Sequence, residues 1–232
     1  MAVFNILDNK VIYYDAPKCG STTGLAYVNM INHPELLQDV QRLISDGVDP
    51  VTAYDACWKA NKKKYSRNAI ASKTLIEKKT PVPPDSIKFC IVRDPVARFI
   101  SVYKSLILSK AYVSAKDVSI NEFIKIIDVE DKTTLAGWAE VSPVGWRNVK
   151  FHFLPLVAFY GTDPKRFNHI FNMDQMDGVR KLLESSYNIM LPSLKLNFTR
   201  KLDITLTHEQ TEWVKTRYAR DYRFYKTWME NQ

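Results

Sequence analysis

The stretch VIYYDAPKCGSTT, at residues 11–23, contains three successive local patterns. Residues 11–14 form an apolar, β-rich run, which predicts a buried strand. Residues 15–18 include Pro17 and end this strand with a turn. From Ser21 onward the apolar residues follow helical spacing, so the stretch predicts a strand, a turn and a helix in that order.

The turn between this strand and this helix has the composition of an anion-binding loop. The first backbone N–H groups of a helix lack partners within the helix, and the helix dipole is positive at that end. Gly20 lets the backbone approach an anion closely, and Lys18 adds a mobile positive charge. Ser21, Thr22 and Thr23 add hydroxyl donors. These features predict a phosphate-binding loop, with an ordinary capped helix start as the alternative.

Two familiar phosphate chemistries do not fit this loop. The P-loop of nucleoside triphosphatases, G-x-x-x-x-G-K-[ST], places its lysine after the second glycine, whereas Lys18 precedes Gly20 here. A cysteine phosphatase loop needs an arginine where Leu25 stands, counting from Cys19. ATP or GTP hydrolysis is therefore disfavoured. We expect Cys19 to fill the loop, although a helix start can also lower the pKa of a thiol.

Strands and helices alternate along the rest of the chain. The run IKFCIV at residues 87–92 predicts a central strand, and residues 167–171 predict a short one. The run FHFLPLVAFY at residues 151–160 contains a proline and predicts an edge strand or a buried loop. Helical patterns follow residue 21, break at His33 and Pro34, and continue at residues 35–45, 53–64, 95–110, 119–127, 174–183 and 209–228.

Three polar residues are predicted to cap helices, namely Ser119, Asp174 and Thr207. The alternation of strands and helices predicts an α/β fold, a three-layer sandwich with a central, mainly parallel sheet. Composition gives no sign of a second domain, so we expect residues 1–232 to form one domain.

Composition limits the possible classes of protein. Of the 232 residues, 46% are hydrophobic and 25% are charged, which is typical of a soluble globular protein. The net charge of +8 indicates anionic partners. The three cysteines and four histidines lack close spacing, so neither a metal site nor a disulfide framework is expected.

The sequence shows no pattern that would place the protein in a membrane. No stretch approaches the roughly 18–20 apolar residues that span a bilayer. The first ten residues, MAVFNILDNK, lack the basic and then apolar layout of a signal peptide. We therefore expect a soluble, cytoplasmic protein.

A second motif, IKFCIVRDPVARFISVY at residues 87–103, follows the same order of strand, polar turn and helix. Arg93 ends the strand, and Ser101 lies eight residues later in the helix. One guanidinium and one hydroxyl can converge on a single phosphate near the carboxyl end of the strand, where α/β sheets bind ligands. A salt-bridged helix cap is the alternative interpretation.

Together the two motifs resemble those of the sulfotransferases that use 3'-phosphoadenosine 5'-phosphosulfate (PAPS). PKCGSTT at residues 17–23 is similar to their 5'-phosphosulfate loop, and RDPVARFISVY at residues 93–103 is similar to their 3'-phosphate motif. The form R-D-P-x-x-R-x-x-S-x-Y resembles the carbohydrate branch, which includes the HNK-1, chondroitin and heparan 2-O enzymes. FHFLP at residues 151–155 and YARDYRFY at residues 218–225 resemble two weaker motifs of that branch.

The resemblance implies the P-loop-like sulfotransferase fold and transfer of a sulfuryl group from PAPS to a hydroxyl, or less readily an amine, releasing adenosine 3',5'-bisphosphate. It implies that Lys18 stabilises charge on the bridging oxygen that leaves. Arg93 and Ser101 would hold the 3'-phosphate that distinguishes PAPS from ATP. The residues implied for the 5'-phosphosulfate are Pro17, Lys18, Cys19, Gly20, Ser21, Thr22 and Thr23.

The general base is the least specified part of this prediction. Relatives often place a His or Glu between the two motifs, but no histidine lies between His33 and His152. His152 is our first choice for the base, followed by Glu77 and His33. Arg98 is expected to pair with a nearby carboxylate.

The acceptor and two other functions stay open at this point. Residues 33–86 and 111–150, with their basic and aromatic content, are expected to define a small-molecule or oligosaccharide acceptor. The alternatives are a nucleotide-dependent phosphotransferase and a nucleic-acid-binding module that uses the basic cluster at residues 59–67. Glycan-directed relatives in animals are Golgi membrane proteins, so the Golgi lumen is the alternative location if the given sequence is a piece of a longer protein with an N-terminal anchor.

Overall fold

A computed structural model describes residues 2–71, 82–107, 119–128, 152–196 and 203–229. The chain divides into two units. The first comprises Met1–Val92 and Phe159–Phe198, and the second comprises Arg93–Ala158 and Thr199–Gln232. The expectation of a single domain over residues 1–232 stays a prediction.

The first unit contains a four-stranded sheet in the order β1-β2-β3-β4. Its strands are β1 (Ala2–Ile6), β2 (Val11–Asp15), β3 (Ile87–Val92) and β4 (His169–Asn172). β1 pairs antiparallel with β2, and the pairs β2–β3 and β3–β4 are parallel. The mainly parallel sheet, flanked by helices, confirms the predicted α/β class.

The α-helices that the structure describes are, in chain order, α1 (Ser21–Asn32), α2 (Pro34–Ser45), α3 (Pro50–Ala71), α4 (Pro95–Ile107), α5 (Ile120–Asp128), α6 (Val157–Tyr160), α7 (Met176–Tyr187), α8 (His208–Arg217) and α9 (Ala219–Met229). Short 3₁₀ turns occupy Pro164–Arg166 and Met173–Gln175. The predicted start of α1 and the break at His33 and Pro34 are confirmed.

The sheet forms because its two central strands are apolar on both faces. The residues of β2 from Val11 to Tyr14 are at most 2% exposed, and Phe89 in β3 is fully buried. The rings of Tyr13 and Phe89 stack with their centroids 4.9 Å apart. Such double-sided burial is typical of parallel strands covered on both faces, and it confirms the predictions for both strands.

The hairpin that adds β1 to the sheet was not predicted. Its turn carries Leu7, Asp8 and Asn9 at φ values of 23, 52 and 62°. Asn and Asp adopt positive φ more readily than most residues, but a leucine there gives no turn signal. The short run AVFNI was therefore missed as a strand.

Several helical boundaries differ from the sequence prediction, and α7, predicted at residues 174–183, runs over Met176–Tyr187. α3 was predicted at residues 53–64 but extends to Ala71, with non-helical angles at Asn61. The predicted helix 209–228 is divided into α8 and α9 at Tyr218. The predicted cap at Thr207 is confirmed, because its hydroxyl accepts from the N–H of Gln210 at 3.2 Å.

The cap predicted at Asp174 is wrong. The N-cap of α7 is Gln175, which makes no side-chain cap bond, whereas Asn172 caps the preceding 3₁₀ turn, since its Oδ1 accepts the N–H of Met173 at 2.8 Å. The side chain of Gln175 accepts the N–H of Asn172 at 2.8 Å in return. This reciprocal pair begins a 3₁₀ turn at Met173, directly before α7.

The second unit has an aromatic core in which α4, α5 and α8 meet. Phe99, Phe123, Phe153 and Tyr218 are among its buried residues. The rings of Phe123 and Phe153 meet edge to face with centroids 4.9 Å apart. The predicted capping box that begins α5 is confirmed, because Ser119 N–H and hydroxyl both donate to Glu122 at 2.7 Å.

The strand alternative for residues 151–160 is wrong over the part that the structure describes, residues 152–160. Val157–Tyr160 forms a short helix, α6. The N–H groups of Leu156 and Val157 donate to the carboxylate of Asp221 at 2.8 and 3.0 Å. Their acceptor lies more than 60 residues away in the chain, so the local apolar pattern does not reveal it.

Among the described residues, no helix combines the length and the apolarity needed for a membrane span.

We expect Gly24→Ala to destabilise the protein, although alanine is the better helix former. A Cβ at residue 24 would lie 2.9 Å from Cε1 and Oη of Tyr13, whose ring is fully buried. Overpacking of this kind costs about 1–3 kcal/mol. Urea unfolding followed by circular dichroism measures the loss in the free energy of unfolding.

Gly178→Ala is the matched comparison for this variant. Its Cβ would lie 3.0 Å from Cε1 of Phe171, a half-buried ring that can move aside. We therefore expect a smaller loss than at Gly24. A Gly24→Ala protein as stable as the wild type would contradict the close packing of α1 on β2.

Candidate functional site

The loop at residues 16–20 joins the carboxyl end of β2 to the start of α1. Its backbone turns sharply, because the carbonyl of Ala16 accepts the N–H of Cys19 at 3.3 Å and the hydroxyl of Ser21 at 2.8 Å. Lys18 and Gly20 have φ values of 67 and 76°. The loop is thus a tight turn with two left-handed residues just before a helix N-terminus.

The glycine of this loop is required by both its backbone and its surroundings. A Cβ on Gly20 would be strained at positive φ and would lie 3.1 Å from Sδ of Met176, in α7. The tight turn at residue 20 therefore forms readily only with glycine, which adopts positive φ without steric cost. Sequence reasoning did not identify Met176 as a neighbour of the loop, because the contact joins distant parts of the chain.

The side chains of the loop divide into buried and half-buried positions. Pro17 and Cys19 are buried, and Cys19 is 0% exposed. Lys18 and Gly20 are half-buried. Such burial agrees with the expectation that the Cys19 side chain fills the loop.

The three hydroxyl residues at the start of α1 have different environments. Ser21 donates its hydroxyl proton to the carbonyl of Ala16. Thr22 is exposed. Thr23 is 5% exposed, and its Oγ1 accepts the N–H of Leu196 at 3.2 Å. The sequence pattern treats these three residues alike, whereas the structure gives each a different capacity to contact a ligand.

The carboxyl ends of β2, β3 and β4 lie at one edge of the sheet. Val92, the last residue of β3, is paired in register with Asn172, the last residue of β4. Asn172 is 2% exposed, and its Nδ2 has no hydrogen-bond partner within the described ranges. In the sequence, the one sign of this buried donor is that an asparagine stands at the end of an apolar run.

Buried ionisable groups beneath this loop are held in their neutral forms. Burial, followed by the neighbouring charge of Asp15, raises the pKa of Tyr13 well above its ordinary value. The phenol of Tyr13 donates to Oδ1 of Asp15 at 3.0 Å. Burial also raises the pKa of the Cys90 thiol. These groups therefore add no thiolate or phenolate charge beside the loop at neutral pH.

In the second unit, Arg93 is the residue that follows β3 and is half-buried. The next residue, Asp94, begins α4, since its Oδ1 accepts the N–H of Ala97 at 2.8 Å. Ser101 is half-buried on the same helix. The two residues expected to bind the 3'-phosphate thus lie close together in the chain: Arg93 is in the turn before α4, and Ser101 is on α4.

Arg98, on α4, donates to backbone carbonyls, and its expected pairing with a carboxylate stays a prediction. It is 3% exposed, and its guanidinium donates to the carbonyls of Leu154 at 2.7 Å and His152 at 3.3 Å. Burial raises the pKa of Asp221, and the N–H bonds from Leu156 and Val157, followed by the charge of Arg98, oppose this shift only in part. The guanidinium therefore fixes the backbone of the segment that carries His152.

The three candidate bases lie in different parts of the chain. His152 is half-buried in the second unit, and its backbone is held by Arg98. His33, in the first unit, is 6% exposed at the junction of α1 and α2, with Nδ1 4.0 Å from Oε1 of Glu35. Glu77 lies outside the described residues, as do Trp138 and Trp146. Within the described ranges, no cluster of His, Cys, Asp or Glu could hold a metal ion.

We expect Lys18→Gly to leave stability within about 1 kcal/mol of the wild type, since glycine adopts positive φ readily. Lys18→Val should lose about 1–2 kcal/mol, because a left-handed backbone is costly for a β-branched residue. Chemical unfolding of both variants measures this difference.

The same pair of substitutions at Lys88 is the control. Lys88 lies in β3, where valine is favoured and glycine is unfavourable. At Lys88 the valine variant should therefore be more stable than the glycine variant, the reverse of the order at Lys18. Equal stability of Lys18→Gly and Lys18→Val would contradict the left-handed conformation of the loop.

The comparisons with known proteins agree with the sequence motifs at the level of the family. Residues 4–226 match the model described as the sulfotransferase family. No curated protein and no solved structure matches the chain. The matched range includes the loop at residues 16–20, the turn at Arg93 and most of α9. Because the match spans nearly the whole sequence, the chain belongs to the sulfotransferase family.

Proposed function

We propose that the protein transfers a sulfuryl group from PAPS to a hydroxyl of an acceptor and releases adenosine 3',5'-bisphosphate. Membership of the sulfotransferase family supports sulfuryl transfer in general. The observation that carries the finer proposal is the tight loop with left-handed Lys18 and Gly20 directly before α1. A helix N-terminus that follows a strand in this way is suited to a phosphate or sulfate group.

The residues of the loop fit the 5'-phosphosulfate of PAPS. A Cβ on Gly20 would be strained at positive φ and would crowd Met176, so the tight turn before α1 needs a glycine at this position. The positive end of the α1 dipole faces the loop, and Lys18 adds a full charge. We assign the 5'-phosphosulfate to Pro17, Lys18, Cys19, Gly20, Ser21, Thr22 and Thr23.

The second motif supplies the proposed contacts to the 3'-phosphate. Arg93 would form charge-assisted hydrogen bonds to this group, and Ser101 would add a hydroxyl donor. This phosphate is absent from ATP, so the motif would select PAPS over nucleoside triphosphates. The assignment rests on the resemblance of residues 93–103 to the 3'-phosphate motif of PAPS-dependent enzymes.

The proposed reaction is an in-line transfer. The acceptor oxygen forms a bond to the sulfur while the bond from that sulfur to the bridging oxygen breaks. The electron pair of the broken bond stays on the departing adenosine 3',5'-bisphosphate, where Lys18 stabilises the charge. The acceptor proton passes to His152. As in phosphoryl transfer, positioning and electrostatic stabilisation supply most of the catalysis.

We propose a carbohydrate as the acceptor, from the likeness of R-D-P-x-x-R-x-x-S-x-Y to the carbohydrate branch of the family. A net charge of +8 would favour an acidic oligosaccharide. An acceptor screen with sulfur-labelled PAPS is the direct way to identify it. The cytoplasmic location stays part of the proposal.

The alternatives have weaker support. A nucleotide-dependent phosphotransferase would be expected to carry the Gly-Lys-[Ser/Thr] element, which the loop lacks. A nucleic-acid-binding module would rely on the basic cluster at residues 59–67, where Lys59 already lies 3.4 Å from the carboxylate of Asp55. An exposed ion pair of this kind is common on a solvated helix face.

We expect adenosine 3',5'-bisphosphate to bind more tightly than ATP in titration calorimetry. Arg93→Ala should weaken binding of the bisphosphate about 10- to 100-fold, since a hydrogen bond to a charged group contributes about 1.5–3 kcal/mol. Arg42→Ala is the matched control, because it removes an exposed arginine on α2. Equal or preferential binding of ATP would overturn the proposed donor.

We expect His152→Ala to lower turnover about 10²- to 10⁴-fold, the usual contribution of general acid–base catalysis. His208→Ala, which removes an exposed histidine at the start of α8, should leave turnover unchanged. Turnover is measured with sulfur-labelled PAPS and the acceptor found in the screen. A loss of less than about tenfold in a folded His152→Ala protein would exclude this residue as the base.

A further inference from the structure

Two consecutive residues of α9 contact two different segments of the second unit. Asp221 accepts the N–H groups of Leu156 and Val157 at 2.8 and 3.0 Å. The phenol of Tyr222 donates to Oδ2 of Asp94 at 2.8 Å. α9 thus reaches both the segment after His152 and the turn that carries Arg93.

The contact of Asp221 fixes where α9 lies in this unit. Its side chain is 0% exposed, and burial raises its pKa above the ordinary value. A carboxylate in such a place is costly unless hydrogen bonds compensate it. Two directed N–H bonds provide that compensation only in one position along the helix, so they set the register of α9 against residues 156–157.

With α9 in that register, Tyr222 meets a carboxylate that already has a structural task. Oδ1 of Asp94 accepts the N–H of Ala97 and so begins α4, while Oδ2 accepts the phenol. Both carboxylate oxygens are therefore engaged, one by α4 and one by α9. The orientation of Asp94 is restricted on two sides, and Asp94 is covalently joined to Arg93.

We propose that Tyr222 is a positioning residue for binding of the donor nucleotide. Tyr222 orients Arg93 indirectly, through its hydrogen bond to Asp94. This inference rests on the proposed function, because it takes Arg93 as the ligand of the 3'-phosphate. A guanidinium binds a phosphate well only when its direction is set, since its donors form a rigid fork. The Tyr222–Asp94 hydrogen bond restricts the backbone from which that fork extends.

The test is titration calorimetry of adenosine 3',5'-bisphosphate with Tyr222→Phe, which removes one hydroxyl and keeps the ring. We expect the Kd to rise about 2- to 10-fold, the equivalent of one hydrogen bond. In a protein that already carries Arg93→Ala, the same substitution should change the Kd by less than about 1.5-fold. If Tyr222 acts through Arg93, its effect on binding disappears once the guanidinium is gone, so the effects of the two substitutions do not add. A purely structural effect would persist in that protein.

Tyr218→Phe is the matched control for stability. Its phenol donates to the carbonyl of Phe153 at 3.0 Å, at the same corner between α8 and α9. We expect it to lower the melting temperature at least as much as Tyr222→Phe but to leave the Kd unchanged. An equal rise of the Kd in both variants would show a general loosening of this corner and overturn the inference.

The outcomes also separate this inference from the proposed function. If the wild type does not prefer the bisphosphate to ATP, the proposed donor itself is wrong. If the wild type shows that preference and Arg93→Ala weakens it, an unchanged Kd in Tyr222→Phe overturns only the positioning role.

Discussion

The parallel pairing of β2 with β3, and of β3 with β4, is the constraint on which the candidate site depends. Strands that run in the same direction end at the same edge of a sheet, and there the loop at residues 16–20 begins. Tyr13 and Phe89 stack across the first pair, and Gly24 brings α1 against the ring of Tyr13. The loop therefore extends from two elements that the core holds in place, and rigid elements keep a site's geometry.

In the second unit, buried charged side chains fix the position of the backbone, as apolar contacts between strands do in the sheet. Arg98 and Asp221 are 3% and 0% exposed, yet each binds backbone groups of residues 152–157. An apolar pair of the same size could fill this volume without directing the segment. Charged groups need specific partners, so Arg98 on α4 holds the backbone at His152 and Leu154, and Asp221 on α9 holds it at residues 156–157. Tyr218 also donates to the carbonyl of Phe153, so the weak motifs at residues 151–155 and 218–225 are in contact.

The parts of the fold that follow from local rules could be predicted from the sequence. β3 and the cap at Thr207 depend on apolar runs or on residues three apart, and both were found. The parts that depend on distant partners could not be predicted. α6 is begun by Asp221, far along the chain, and the Asn172 cap replaces Asp174 through a pair of side-chain bonds. The loop was predicted by composition, but its left-handed residues and its contact with Met176 required the structure.

The hydroxyls of this loop show how geometry refines an assignment made by residue type. A hydroxyl has one proton to donate, and Ser21 donates it to the carbonyl of Ala16. In this conformation Ser21 would contact the proposed phosphosulfate through its backbone N–H, because its hydroxyl can only accept a hydrogen bond and an anion supplies none. Thr23 accepts from Leu196 and keeps its own proton, but it is buried. The proposed contacts to a phosphosulfate would therefore come mainly from Lys18, from the exposed Thr22 and from the backbone N–H groups at the start of α1, which the hydroxyl of Ser21 helps to hold in place.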